Sequence, residues 1–73
     1  MLERMTRSVA ESYGLVHQLN LRALRSYIKV TQEEDLINQI NEIKEVVLLR
    51  TLWEAGLRQG LQDAVLDRMA KLT

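Results

Sequence analysis

The sequence predicts an all-α fold: a long antiparallel helical hairpin followed by a short third helix, assembling into an oligomeric helical bundle. Apolar residues recur at three- and four-residue intervals through most of the 73-residue chain, as on one face of a helix. Proline is absent and glycine occurs only at Gly14, Gly56 and Gly60, which leaves few residues for the turns of a sheet. With one Trp, two Tyr and no Phe among 47% hydrophobic residues, the core must be aliphatic.

The first helix is predicted over residues 2–29 of a single domain. Two apolar rows define it, one that starts at the amino terminus and one that joins it later. The first row is Leu2, Met5, Val9, Val16, Leu19 and Ala23, and the second is Leu21, Leu24 and Ile28. Gly14 lies within the pattern and costs up to about 1 kcal/mol relative to alanine, so a kink there is the alternative. The periodicity favours an uninterrupted helix.

The second helix is predicted over residues 32–57. Thr31 with Glu34 three residues later has the pattern of a capping box, in which each side chain bonds the backbone amide of the other residue. The acidic side chains at 33–35 would lie at the positive, amino-terminal end of the helix dipole, where negative charge is stabilising. This stabilisation explains their presence without metal binding or acid catalysis. A break near Lys44 would divide this helix into two. Glycine capping at Gly56 and Gly60 then separates it from a third helix over residues 61–72.

An apolar run in the second helix predicts a partner interface. Residues 46–49 are apolar all round, and a helix of this kind must be covered on every side. A chain this short has few other helices that could pack around this segment, so we expect a partner chain to bury the rest of its surface. The predicted interface residues are Val46, Val47, Leu48, Leu49, Leu52 and Trp53. A homo-oligomer, with a dimer favoured, or a larger protein partner is expected.

Charge sums to zero but is unevenly distributed. Residues 1–30 hold five basic and two acidic side chains, whereas residues 31–57 hold two basic and six acidic ones. An antiparallel hairpin would bring the basic side chains of Arg22, Arg25 and Lys29 near the acidic cluster at 33–35. The same three cations share one helix face and supply the alternative function, binding of nucleic acid. Zero net charge makes this alternative the weaker one.

No catalytic, cofactor-binding or metal-binding residue is predicted, and the protein is not expected to be an enzyme. His17 is the only histidine, and it has no second His or Cys and no carboxylate at ligand spacing. It is interpreted as a boundary or interface residue, hydrogen-bonded to Tyr13 four residues earlier. No apolar run approaches the ~18 residues of a membrane span. A cytoplasmic location without membrane contact is the default expectation.

One family resemblance covers about half of the chain. Residues 36–72 read LINQINEIKEVVLLRTLWEAGLRQGLQDAVLDRMAKL. This segment resembles the helical carboxyl-terminal tail of the Rpn-type transposase-associated nucleases, which commonly has two short helices followed by a short Leu-led helix. The catalytic core of that family, a sheet-borne PD-(D/E)XK motif, is absent from this sequence. The resemblance therefore implies a helical accessory or interaction segment and carries no catalytic residue onto this chain.

The sequence thus predicts a small protein–protein interaction or oligomerisation module that buries aliphatic helix faces against itself or a partner. The alternative is a small nucleic-acid-binding regulator that uses the basic face of the first helix.

Overall fold

The computed structural model describes all 73 residues and contains five α-helices and no strand, which confirms the all-α prediction. The helices are α1 (Leu2–Glu11), α2 (Gly14–Val30), α3 (Glu33–Ile40), α4 (Val46–Ala55) and α5 (Gln59–Leu72). None of them is both long enough and apolar enough to cross a bilayer. The longest dimension of the chain is 33 Å, shorter than the ~40 Å that a straight helix over 32–57 would need. Each predicted long helix is therefore divided into two.

The first division falls at Ser12 and Tyr13. Both residues have extended backbone, with φ/ψ of −111°/164° and −147°/168°. Gly14 follows with φ +64°, in the left-handed region that glycine enters at little cost. The chain turns here, and α2 packs back against α1. The predicted uninterrupted helix over 2–29 is therefore replaced by two packed helices, with Gly14 as the interruption.

The second division falls between Ile40 and Val46, which agrees with the alternative of a break near Lys44. Ile43 lies in the turn and is fully buried, so the turn itself contributes a side chain to the core. The turn also frees the carbonyl of Ile43, which accepts a hydrogen bond from Arg68 Nε at 2.8 Å. A side chain of α5 therefore supports the break between α3 and α4.

The predicted capping box at Thr31 does not form. The Thr31 hydroxyl donates instead to the Tyr27 carbonyl at 2.6 Å, so it closes the carboxyl end of α2. Gln32 holds the amino-terminal cap position of α3 and makes no capping side-chain bond. A threonine can bond either backwards or forwards in the chain, and the backward bond is the one formed here.

The core is aliphatic, as the composition predicts. It contains 14 buried apolar residues, and α1 and α4 lie at its centre, with α1 packed against α2, α3 and α4. The helix α4 also packs against α2 and α5. Leu48, Leu49 and Leu52 of α4 are 3%, 0% and 0% exposed. The chain itself therefore covers half of the residues that were predicted to contact a partner.

Candidate functional site

The helix α2 lies at the surface and buries only Leu24 and Ile28. Its outward side carries two adjoining surfaces, one basic and one apolar. The basic surface is a groove of about 300 Å³ that we call the basic groove, lined by Gln18, Arg22, Arg25, Ser26 and Lys29. No acidic or hydrophobic side chain lines it.

Helical spacing brings the basic groove together. Residues 18, 22, 25 and 29 follow one another at four- and three-residue steps, so their side chains occupy one face of α2. Arg25 is anchored, because its Nε donates to the Ala55 carbonyl at the carboxyl end of α4 at 2.8 Å. This bond satisfies one of the carbonyls that a helix end leaves without a partner. The Arg25 side chain is thus held in place by the fold.

The predicted pairing of these cations with the acidic start of the following helix is absent. Ion pairs join Arg7 to Glu3 and Glu45, and Arg58 to Glu33 at 3.2 Å. The hydrogen bond with Glu45 raises the pKa of Arg7 above its ordinary value. The three cations of the basic groove have no carboxylate partner, and Glu33 is paired instead with Arg58, the residue that precedes α5.

An apolar surface adjoins the basic groove on α2. We call Leu15, Val16, Leu19 and Ala23 the α2 patch. The first three side chains are 76%, 59% and 53% exposed, and Ala23 is also exposed. The sequence pattern placed Val16, Leu19 and Ala23 in one apolar row with residues of α1. The turn at Ser12 interrupts that shared face, so these three residues are exposed, whereas Leu24 and Ile28 of the second row face the core.

The predicted partner surface on α4 divides into a buried and an exposed part. Leu48, Leu49 and Leu52 belong to the core, as described above. Val46, Val47 and Trp53 are 37%, 59% and 41% exposed, and we call these three residues the α4 patch. Of the six residues that the sequence predicted to contact a partner, these three are the ones that remain exposed.

His17 supports the turn between α1 and α2. Its Nδ1 lies 3.0 Å from the Val9 carbonyl oxygen and 3.2 Å from that of Ser12. Both oxygens can only accept, so Nδ1 carries the proton and the ring acts as a donor to the end of α1. The predicted bond to Tyr13 is absent, and that side chain is 88% exposed. The role of His17 in this structure is to close a helix end.

A second concavity, of about 500 Å³, is open, and no hydrophobic residue lines it. Glu3, Asn41, Glu42, Lys44, Glu45 and Arg68 line it. Its charges are of both signs, and three of them already have partners: Glu3 and Glu45 accept from Arg7, and Arg68 donates to the Ile43 carbonyl. No cluster of three or more His, Cys, Asp or Glu side chains is placed to hold a metal ion.

Comparison with protein-family models, curated proteins and solved structures finds no match to this chain. Its functional interpretation therefore depends on the surfaces of α2 and α4.

Proposed function

We propose that the protein is a self-association module without catalytic activity, which binds a second copy through the α2 patch and the α4 patch. The observation that carries this proposal is the α2 patch. Leu15, Val16 and Leu19 are contiguous on one helix face, and each is more than half exposed. Single exposed apolar side chains are ordinary, whereas contiguous ones mark interaction surfaces.

The energy available from the patches indicates a weak complex. Covering the exposed parts of the three large side chains of the α2 patch would contribute about 4 kcal/mol per copy, scaled from 1.5 to 3 kcal/mol for a fully buried aliphatic side chain. The loss of translational and rotational freedom on association costs about 4 to 15 kcal/mol. The α2 patch alone is therefore marginal. Covering the α4 patch as well would favour a dimer.

Charge indicates which surfaces meet. The net charge is zero, so two copies do not repel one another at long range. If two α2 patches packed against each other in antiparallel orientation, the basic grooves beside them would also come together. Repulsion between their like charges disfavours this arrangement. The α4 patch is bordered by both exposed Arg50 and exposed Glu54, so a basic groove that lies against it meets less like charge than a second basic groove would present. The proposed contact therefore joins the α2 patch of each copy to the α4 patch of the other, as an isologous dimer.

The experiment compares two double variants, each of which replaces two exposed apolar side chains with serine, but on different surfaces of the protein. In the test variant, Leu15→Ser and Leu19→Ser remove two of the three large apolar side chains of the α2 patch. In the control, Val30→Ser and Leu66→Ser remove two exposed apolar side chains that lie outside both patches. Light scattering after size exclusion should show a monomeric test variant and a control that associates as the wild type does. Equal association of the two variants would contradict the proposal.

The proposed role is compatible with the accessory segment that the resemblance to Rpn-type tails implies. The alternative, a nucleic-acid-binding regulator, stays a second proposal. One observation supports it: the cations of the basic groove have no carboxylate partner in the chain.

A further inference from the structure

The basic groove carries positive charge that the fold does not neutralise. Arg22 and Arg25 are three residues apart on α2, and Arg25 and Lys29 are four apart, spacings at which like charges repel and weaken a helix. Lys29 lies in the last turn of α2, where the helix dipole favours a cation. That explanation does not extend to Arg22, which lies mid-helix without an ion pair or a hydrogen bond.

The groove is lined by groups that can donate hydrogen bonds to an anion. Two guanidinium groups and an ammonium group supply charged donors, and Gln18 and Ser26 add a neutral amide and a hydroxyl. The absence of hydrophobic residues from the lining disfavours a hydrophobic ligand, and the absence of carboxylates disfavours a cation. A tetrahedral oxyanion, whose oxygens accept from several donors, matches this set.

Arg25 makes the groove more than a chance grouping of surface cations. Its bond to the Ala55 carbonyl uses Nε and leaves both terminal nitrogens free to donate. Because the fold already restricts this side chain, an anion that binds it loses less side-chain entropy than it would with a free arginine. An anchored arginine between two unpaired cations suits a phosphate group, because the donors of a guanidinium match the geometry of phosphate oxygens.

We propose that the basic groove binds a phosphate group, carried either by a small phosphorylated molecule or by a nucleic-acid backbone. The inference rests on the same groove as the second candidate function and is independent of self-association. An anion in the groove offsets the repulsion among the three cations, so binding also stabilises α2.

The test titrates ¹⁵N-labelled protein with inorganic phosphate and follows the backbone amide shifts of residues 18–29. The test variant is Arg22→Gln with Lys29→Gln. The matched control is Arg4→Gln with Lys71→Gln, which removes the same charge, including a lysine in the last turn of a helix. Arg25 is left intact because its substitution would also remove the bond to Ala55.

We expect saturable shifts in the wild type and the control, and an affinity at least about tenfold lower in the test variant, as for the loss of charge-assisted hydrogen bonds. Shifts that do not saturate, or that are equal in the two variants, would show that phosphate acts only as a general screening ion and would overturn the inference.

A second arm replaces phosphate with a single-stranded oligonucleotide and measures affinity over a range of salt concentrations. If a nucleic-acid backbone is the source of the phosphate, the test variant should reduce the slope of log affinity against log salt by about 1.4, or 0.7 for each cation removed. Groove-dependent binding of inorganic phosphate without this change would assign the groove to a small phosphorylated ligand. The same result would exclude nucleic-acid binding by the groove and would leave the proposed phosphate site supported.

Discussion

Substitution of Leu49 by alanine tests whether the chain itself covers the apolar run of α4. The Leu49 side chain is 0% exposed and belongs to the core. Replacing a leucine buried in this way costs about 3 to 5 kcal/mol, since the lost transfer free energy adds to the cost of a cavity. A domain of this length has a total stability of about 4 to 11 kcal/mol. Leu49→Ala should therefore remove a large part of the free energy of unfolding.

Equilibrium denaturation in urea, followed by circular dichroism, measures this loss. The decisive comparison is between a dilute sample and a concentrated one. Because the cover of Leu49 is intramolecular, the difference between wild type and variant should be the same at both concentrations. Val47→Ala on the same helix is the control, since Val47 is 59% exposed. Its effect on a dilute sample should stay within about 0.5 kcal/mol.

A result that refutes this reasoning is a loss of stability that appears only in the concentrated sample. It would mean that a partner chain covers Leu49, as the sequence pattern first predicted. If Leu49→Ala does not fold, Leu49→Val provides the same comparison at a cost of about 1 kcal/mol, the value for one buried methylene.

Two further substitutions test the helix ends. Arg25→Gln should lower the free energy of unfolding by about 0.5 to 1 kcal/mol, because the lost bond to Ala55 outweighs the relieved repulsion from the neighbouring cations. Arg22→Gln is the control: it removes no hydrogen bond and should cause no loss of stability in the same urea assay. Gly56→Ala should cost about 1 to 3 kcal/mol, because φ is +98° there. Gly60→Ala should cost less, since its methyl would meet only the flexible end of Glu33. Equal effects of the two glycine substitutions would show that backbone strain is not the cause.

The helical class could be predicted from the sequence, but the helix lengths could not. The absence of proline and the aliphatic composition leave few alternatives to helices. The division at Ser12 escaped the periodicity because Val16 and Leu19 continue the spacing of Leu2 and Val9 across it. A pattern of period 3.6 shows that residues share a face only while the helix continues.

The same reason explains which parts of the candidate site could be predicted. Arg22, Arg25 and Lys29 lie within one continuous helix, so their spacing correctly placed them on one face. The carbonyl partner of Arg25 lies 30 residues away in the chain, and no local pattern indicates it. The exposure of Val16 and Leu19 likewise depends on how α2 is rotated against α1, which is a tertiary effect. Gly14 was the one local signal that could have revealed this turn.

The mass of the wild-type protein as a function of concentration tests self-association most directly. Light scattering after size exclusion should cover the range from about 1 µM to about 1 mM, which includes the dissociation constants expected of a weak dimer. The proposal predicts a mass that rises from 8.5 kDa toward twice that value with increasing concentration. A folded protein that remains at 8.5 kDa throughout the range would contradict it.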